Sequence, residues 1–393
     1  MTKDMKHDFD KLTERRATAC VKWSEDPNDD IIPMWVADMD FEVAQPIVDA
    51  LCKRMEHKIF GYNIVPESYY QAVINWFSRR HGIDIRKEWI QPLPGVVPAI
   101  SCIIKAFTSP GDSVLLLTPA YNCFFSSIRN NGCNAEMSPL KPTDDTFEID
   151  FDDFERRAAK PETKIFLLCS PHNPAGRVWR RDELERMHEI CKKHNVIVAS
   201  DEIHCEIIMP GYKHVPFMSL SKEALDNSIT MYSPTKGFNF AGLQIANIVC
   251  NNPEWRKKID RAINDNEVCD LNPFGIIALQ EAYNKCERWL DDMCRYVYNN
   301  YLTLKEFFKS EMPEMCVSRL EGTYLVWVDV SSTGMTAERL ADKLKKDGRV
   351  WMNGGKMYGD PQTSQHLRIN IACPRSRMLE GLKRMSDVVK RIR

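Results

Sequence analysis

Six polar side chains stand just beyond short apolar runs in the middle of the chain. Tyr121 follows SVLLL (Ser113 to Leu117), and Asn173 follows KIFLLC (Lys164 to Cys169). Asp201 and His204 follow VIVAS (Val196 to Ser200), and Ser233 and Lys236 follow SITMY (Ser228 to Tyr232). A lysine amine can attack an aldehyde, a carboxylate can hold a protonated ring nitrogen, an amide can bond a phenolic oxygen, and an aromatic ring can cover a flat ligand. Upstream, PGVVPAI (Pro94 to Ile100) places a glycine before a helix start, where free N–H groups and the positive dipole end suit a phosphate. Aldehyde, pyridine nitrogen, phenolic oxygen and phosphate are the handles of pyridoxal phosphate, so one crevice holding these residues would meet that cofactor's needs.

The elements that must build such a crevice read as alternating strands and helices between about residues 90 and 250. The four runs above, with IANIVC (Ile245 to Cys250), are apolar without alternation, which predicts strands of a parallel sheet covered on both faces. Ligands of such sheets bind beyond the carboxyl ends of the strands, where the six residues fall. Leu184, Met187, His188 and Cys191 share one side of a helix predicted over Arg181 to His194. Cys286 to Phe308 reads as one long helix bridging two domains, and the remainder mixes strands (YLVWVDV, HLRINIA) with helices (AERLADKLKK, MLEGLKRMSDVVKRI) in an α+β pattern.

The spacing of NPAG, SDEIH and SPTKGFNFAGL resembles the fold-type I pyridoxal phosphate enzymes of the class I/II aminotransferase family. Within it, PMWVADMDF (Pro33 to Phe41), FGY (Phe60 to Tyr62) and PGVVPAI resemble the MalY/PatB-type cystathionine β-lyases, over essentially the whole chain. The resemblance implies an α/β fold with a large, mostly parallel-sheet domain over residues 46–285 and a smaller α+β domain from 1–45 plus 286–393. It implies that Lys236 bonds the cofactor aldehyde and shuttles the Cα proton, with Asp201 on the pyridine nitrogen, Asn173 on the ring oxygen and Tyr121 stacked on the ring. Val96, Val97 and Ser233 would hold the phosphate, His204 would lie against the cofactor, and Arg368 in HLRINIACP would clamp the substrate α-carboxylate as a bidentate fork. Tyr62 and Asn272 to Phe274 would reach a neighbour's cofactor, which implies a homodimer with shared active sites and places Tyr62 beside Lys236 and Tyr121 among the catalytic residues. Two positions depart from the common aminotransferase pattern: His204 stands where a tyrosine is frequent, and Gln244 where an arginine would add a cation to the phosphate site. Histidine after DEI favours the lyase branch, so the implied reaction is β-elimination of cystathionine or another cysteine S-conjugate to a thiol, pyruvate and ammonia. Transamination with the same lysine is the alternative, and a regulatory protein acting through a protein partner is a third reading.

Composition agrees with an enzyme of small molecules. Of 393 residues, 44% are apolar and 27% charged, and 53 basic against 55 acidic residues give a net charge of −2, with no basic block for nucleic acid. No apolar run approaches the roughly 20 residues of a membrane span, and MTKDMKHDFDKLTERR lacks a signal-peptide core, so neither membrane anchoring nor secretion is expected. Fourteen cysteines scattered without a CxxC pair suit a reducing cytoplasm. His188 and His194 stand six apart rather than the four a zinc-binding helix needs, so no metal site is expected in the chain. SPTK (Ser233 to Lys236) matches SxxK, but no KTG-like strand follows it. On local grounds alone Asp201 reads as a helix cap, Asn173 as a turn residue, Tyr121 as core, Arg368 as half of a salt bridge and His204 as a satisfied buried histidine. Their joint position favours the cofactor reading.

Overall fold

A computed structural model describes residues 7–359 and 364–392. Its centre is a seven-stranded sheet running from Ile90–Leu93 at one edge through Ala246–Val249, Ser228–Tyr232, Ile197–Asp201, Thr163–Cys169 and Ser113–Thr118 to Asn134–Pro139 at the other. Adjacent residues of each central strand serve opposite faces. Val114, Leu116, Ile165 and Leu167 pack into a core under the helices Val96–Phe107 and Pro253–Asp265, while Leu115, Leu117, Phe166 and Leu168 pack under the helix Arg181–Lys193. Burial on both faces is why these runs are apolar throughout.

The sheet is parallel over five strands, but Ala246–Val249 runs antiparallel to both Ser228–Tyr232 and Ile90–Leu93. This corrects the expectation that IANIVC would join the parallel set: an apolar run fixes burial and carries no sign of direction. The edge strands Ile90–Leu93 and Asn134–Pro139 were not anticipated, because IQPL and NAEMSP carry the proline and polar residues that edges tolerate.

The predicted helix over Cys286 to Phe308 is observed as Glu287–Glu311, and a separate helix, Pro273–Lys285, precedes it. Beyond it lies an antiparallel four-stranded sheet in the order Cys316–Val317, Leu325–Asp329, His366–Asn370, Asn353–Gly354. The helices Ala337–Gly348 and Arg375–Ile392 flank this sheet and are its amphipathic partners by sequence. The amino-terminal segment joins this part: Ile32–Pro33 pairs with Val350–Trp351, and buried Asp40 takes Arg15, Lys22 and Trp23 as partners. Burial would raise the Asp40 carboxyl, but Lys22, Trp23 and Arg15 hold it below its ordinary value. From this anchor, residues 33–41 cross to the carboxyl ends of the parallel strands. Among the described residues no helix is long and apolar enough to cross a membrane.

Candidate active site

A cavity of about 380 Å³ opens beyond the parallel strand ends, lined by Ala37, Gly95, Val96, Val97, Tyr121, Asn173, Asp201, His204, Lys236 and Gln244 among others. Four strand ends and one helix start therefore deliver the anticipated groups to one place. Asp201 is the last residue of its strand, and its Oδ1 accepts the N–H of Ile203 at 3.1 Å. Burial pushes this carboxyl up to about 7, with Glu202 adding to the rise and Lys236 opposing it. A carboxylate held in so dry a position gains from a cationic partner such as a protonated ring nitrogen.

Lys236 Nζ donates to the carbonyl of Ala37 at 2.6 Å, and burial, the largest influence, lowers its ammonium below the ordinary lysine value against the pull of Asp38 and Asp201. An amine shifted in this direction is closer to the neutral form that attacks aldehydes and accepts protons. At the other side of the cavity the helix Val96–Phe107 begins at Gly95, and no side chain caps its first turn, so the amides of Val96 and Val97 face the cavity uncommitted to a cap. A carboxylate, an amine and a helix amino end around one cavity form a donor set that fits pyridoxal phosphate: Asp201 would hold the ring nitrogen, Lys236 the aldehyde, and the Val96–Val97 turn the phosphate.

Arg368 sits in the strand His366–Asn370, where its Nη1 donates to Asn173 Oδ1 at 3.1 Å and its Nη2 to the Trp35 carbonyl at 2.7 Å. It is buried, its Nε has no hydrogen-bond partner, and it lies 5.2 Å from the Tyr358 ring. Arg368 thus joins Asn173 of the large sheet to the amino-terminal strap. His204 is buried with its Nδ1 unpartnered and its ring edge-on to Tyr324; burial, followed by the nearby charges of Lys236 and Arg368, pushes it down to about 3. It is neutral in the folded chain. Burial also raises the Tyr121 hydroxyl, which stays protonated and can donate a hydrogen bond.

Three sequence-predicted residues fall outside this cavity lining: Arg368, which meets it through Asn173, and Ser233 and Tyr62. Ser233 is buried but spends its hydroxyl on the Ile245 carbonyl and on Thr235, each at 2.7 Å. Tyr62 is 98% exposed. Gln244 lines the cavity from a left-handed backbone position, φ 51°. Sequence reasoning missed Tyr324, whose hydroxyl donates to the same Ala37 carbonyl that takes Lys236, at 3.0 Å. In YLVWVDV it reads only as a strand aromatic. It also missed the role of the strap's backbone carbonyls, which leave no mark in side-chain types.

Comparison with known proteins agrees with this geometry. The model of the family described as aminotransferase class I and II matches residues 30–385. The chain is 38% identical over 381 residues to the cystathionine beta-lyase PatB of Bacillus subtilis (strain 168), covering 96% of this chain and 98% of that one. It is 30% identical to protein MalY of Escherichia coli (strain K12), covering 98% and 100%. Among solved structures, cystalysin from Treponema denticola, which contains pyridoxal 5'-phosphate, superposes with a TM-score of 0.95 at 32% identity, covering 99% of this chain and 100% of that one.

Proposed function

The chain belongs to the class I and II aminotransferase family, and we propose that it is a pyridoxal phosphate-dependent carbon–sulfur β-lyase that converts L-cystathionine or another cysteine S-conjugate to a thiol, pyruvate and ammonia. The observation that carries this reading is the convergence of Lys236, Asp201 and Asn173 on one cavity, with Arg368 bonded to Asn173 beside it, in a chain whose relatives include a cystathionine beta-lyase. Pyridoxal phosphate, when bound, supplies an aldehyde for the substrate nitrogen and a ring that withdraws electrons from Cα.

The protein's own groups supply the rest. Asp201 keeps a proton on the ring nitrogen, which sustains that withdrawal. Lys236, its ammonium destabilised by burial, takes the Cα proton and returns a proton later. Arg368 receives the α-carboxylate with the two edges of one planar fork, and Asn173 and the Trp35 carbonyl hold the fork in place beforehand. Tyr121 would cover the ring, and its hydroxyl, raised by burial, would remain a hydrogen-bond donor in the cavity. Val96 and Val97 bind the phosphate through backbone N–H groups, and Ser233 holds the loop that carries Lys236. His204, which lines the cavity edge-on to Tyr324, would lie against the cofactor.

Four further features belong to this proposal. The large domain spans 46–285 and the small domain 286–393 with 1–45, of which residues 1–6, 360–363 and 393 lie outside the described residues. The active unit is a homodimer in which Tyr62 completes the neighbour's phosphate site, supported by its exposure beside Ile59, Phe60 and Ile64. The compartment is the cytoplasm, supported by fourteen free thiols. The substrate is a small amino acid.

The test is to incubate the holoenzyme with L-cystathionine, and separately with an amino acid and 2-oxoglutarate, and to assay pyruvate and glutamate. Pyruvate formed without an added keto acid is the expected result. Glutamate as the dominant product would replace the lyase reading with transamination, and neither product would remove the enzymatic reading.

A further inference from the structure

A second cavity, about 520 Å³, lies outside the cofactor site and is lined by Arg79, Arg80, His81, Cys205, Glu206 and His214 among others. In its wall the ligand-type atoms of His81, Cys205 and Glu206 all lie within 4.8 Å of one another. We propose that His81, Cys205 and Glu206 form a binding site for a zinc-class divalent transition metal, with His214 facing the same cavity.

The donor set points to that class. An imidazole, a thiol and a carboxylate combine the nitrogen, sulfur and oxygen ligands that zinc accepts, whereas magnesium or calcium would want oxygen alone. Cys205 and Glu206 are buried, His81 has a side chain only 7% exposed, and the cavity gives the fourth position access to water. His214 is also buried; its Nε2 is engaged by Glu202 at 2.8 Å while its Nδ1 has no hydrogen-bond partner. The His214 ring stands edge-on to His81 with 5.8 Å between centroids. His214 is not one of the clustered ligands and stands as a neighbour of the site, while Glu206 Oε2, inside the cluster, is buried without a hydrogen bond and is an atom a metal would satisfy.

The neighbouring charges permit this occupancy. Glu206 Oε1 accepts from Trp76 Nε1 at 2.6 Å and meets His81 Nε2 at 2.8 Å, while Oε2 has no hydrogen bond and lies 3.6 Å from Arg80 Nε. Arg80 also pairs with Glu287 at 3.2 Å and Asp291 at 2.7 Å, so it keeps two carboxylates if Glu206 turns to a metal. Arg79 is likewise held by Glu287, at 3.0 Å. Tetrahedral zinc at about 2.0 Å from nitrogen or oxygen and about 2.3 Å from sulfur sets its ligand atoms roughly 3.3 to 3.5 Å apart. The pair at 2.8 Å must open slightly and a separation of up to 4.8 Å must close by as much as about 1.3 to 1.5 Å, which side-chain rotation can supply. The site adjoins the catalytic loop: a Cβ added at Gly237, next to Lys236, would lie 3.3 Å from the Glu206 Cβ.

The test uses the holoenzyme. Zn²⁺ titrated against a chromophoric chelator should bind with one equivalent per chain, and Cd²⁺ should give the ultraviolet charge-transfer band of a metal thiolate. Cys205→Ser should abolish the band, and Cys205→Ser and His81→Gln should each weaken Zn²⁺ binding by at least about tenfold. Cys316→Ser, at an exposed thiol elsewhere, should change neither. X-ray absorption of the zinc-loaded parent is independent of any variant's folding and should show one sulfur among nitrogen and oxygen ligands. Substoichiometric binding, an all-oxygen shell, or a Cys205→Ser protein with the parent's band and affinity would overturn the proposal.

Discussion

Asn173 and the Trp35 carbonyl fix two nitrogens of Arg368, so the carboxylate clamp proposed for it would be oriented in advance. Lysine at this position would keep the charge and lose the fork. A charge-assisted contact of this kind is worth roughly 1.5 to 3 kcal/mol, so Arg368→Lys should lower kcat/KM by about ten- to a hundredfold while leaving the cofactor's absorbance in place. A variant as fast as the parent would make Arg368 structural. His204 offers a test by pH. Burial holds its folded-state pKa near 3 against an ordinary 6.5, so the unfolded chain binds the extra proton between these values. Its contribution to stability is complete above pH 6.5 and is lost as pH falls toward 3. His204→Gln should therefore gain roughly 2 kcal/mol relative to the parent at pH 5 compared with pH 8, read from denaturant midpoints. Asp201 works in the opposite sense: its pKa, raised to about 7, makes its contribution fade as pH rises from about 4 to 7, but both proteins keep it. An unchanged difference between the two pH values would show that His204 is not held neutral. The chemistry of Asp201 and His204 was legible because each follows an apolar run, and that of Arg368 only through the resemblance, since it lies inside its strand; the Ala37 carbonyl that receives Lys236 and Tyr324 was not, because any residue supplies a carbonyl.

The strands that carry the site were readable as uninterrupted apolar runs because both of their faces are covered, and the same reasoning failed at the edges, where Pro92 and the polar NAEMSP suffice. The reversed direction of Ala246–Val249 was equally out of reach, since strand polarity depends on the connections and not on burial. Helix Pro273–Lys285 shows how tightly one element presses on another near the cavity. Asn272 caps it by accepting the Gly275 N–H at 2.8 Å and donates to the Leu243 carbonyl at 2.7 Å. A Cβ at Gly275 would stand 2.6 Å from the Leu243 carbonyl oxygen and 3.1 Å from that of Gln244. Alanine is favoured over glycine inside a helix by about 1 kcal/mol, but overlap with backbone atoms costs about 1 to 3 kcal/mol. Gly275→Ala should lower the melting temperature by up to about 4 °C, and because Gln244 lines the cavity proposed for the cofactor, it should also speed pyridoxal phosphate loss. A melting temperature equal to or above the parent's would show that the helix start can move aside.

At the scale of the whole molecule, the surface around Tyr62 is the feature a single chain does not account for. Met55, Ile59, Phe60, Tyr62 and Ile64 are 57, 67, 53, 98 and 85% exposed within ten residues, an apolar strip that water penalises and a second subunit would cover. FGY pointed to this strip only through resemblance, because no rule of periodicity separates an interface tyrosine from any exposed aromatic. Sedimentation at assay concentration should show a dimer. Complementation then asks which subunit Tyr62 serves. Lys236→Ala and Tyr62→Ala homodimers should each be strongly impaired, the first lacking the amine and the second the neighbour's phosphate contact. In a mixed dimer one site pairs the intact Lys236 of one subunit with the intact Tyr62 of the other, while the second site carries both lesions. Random reassortment makes half of the dimers mixed, each with one of two sites restored, so activity should recover to about a quarter of the parent's. If Tyr62 served its own chain's cofactor, every site in the mixture would still carry one lesion and nothing would recover. If Tyr62 served no site, the Tyr62→Ala homodimer would match the parent before any mixing.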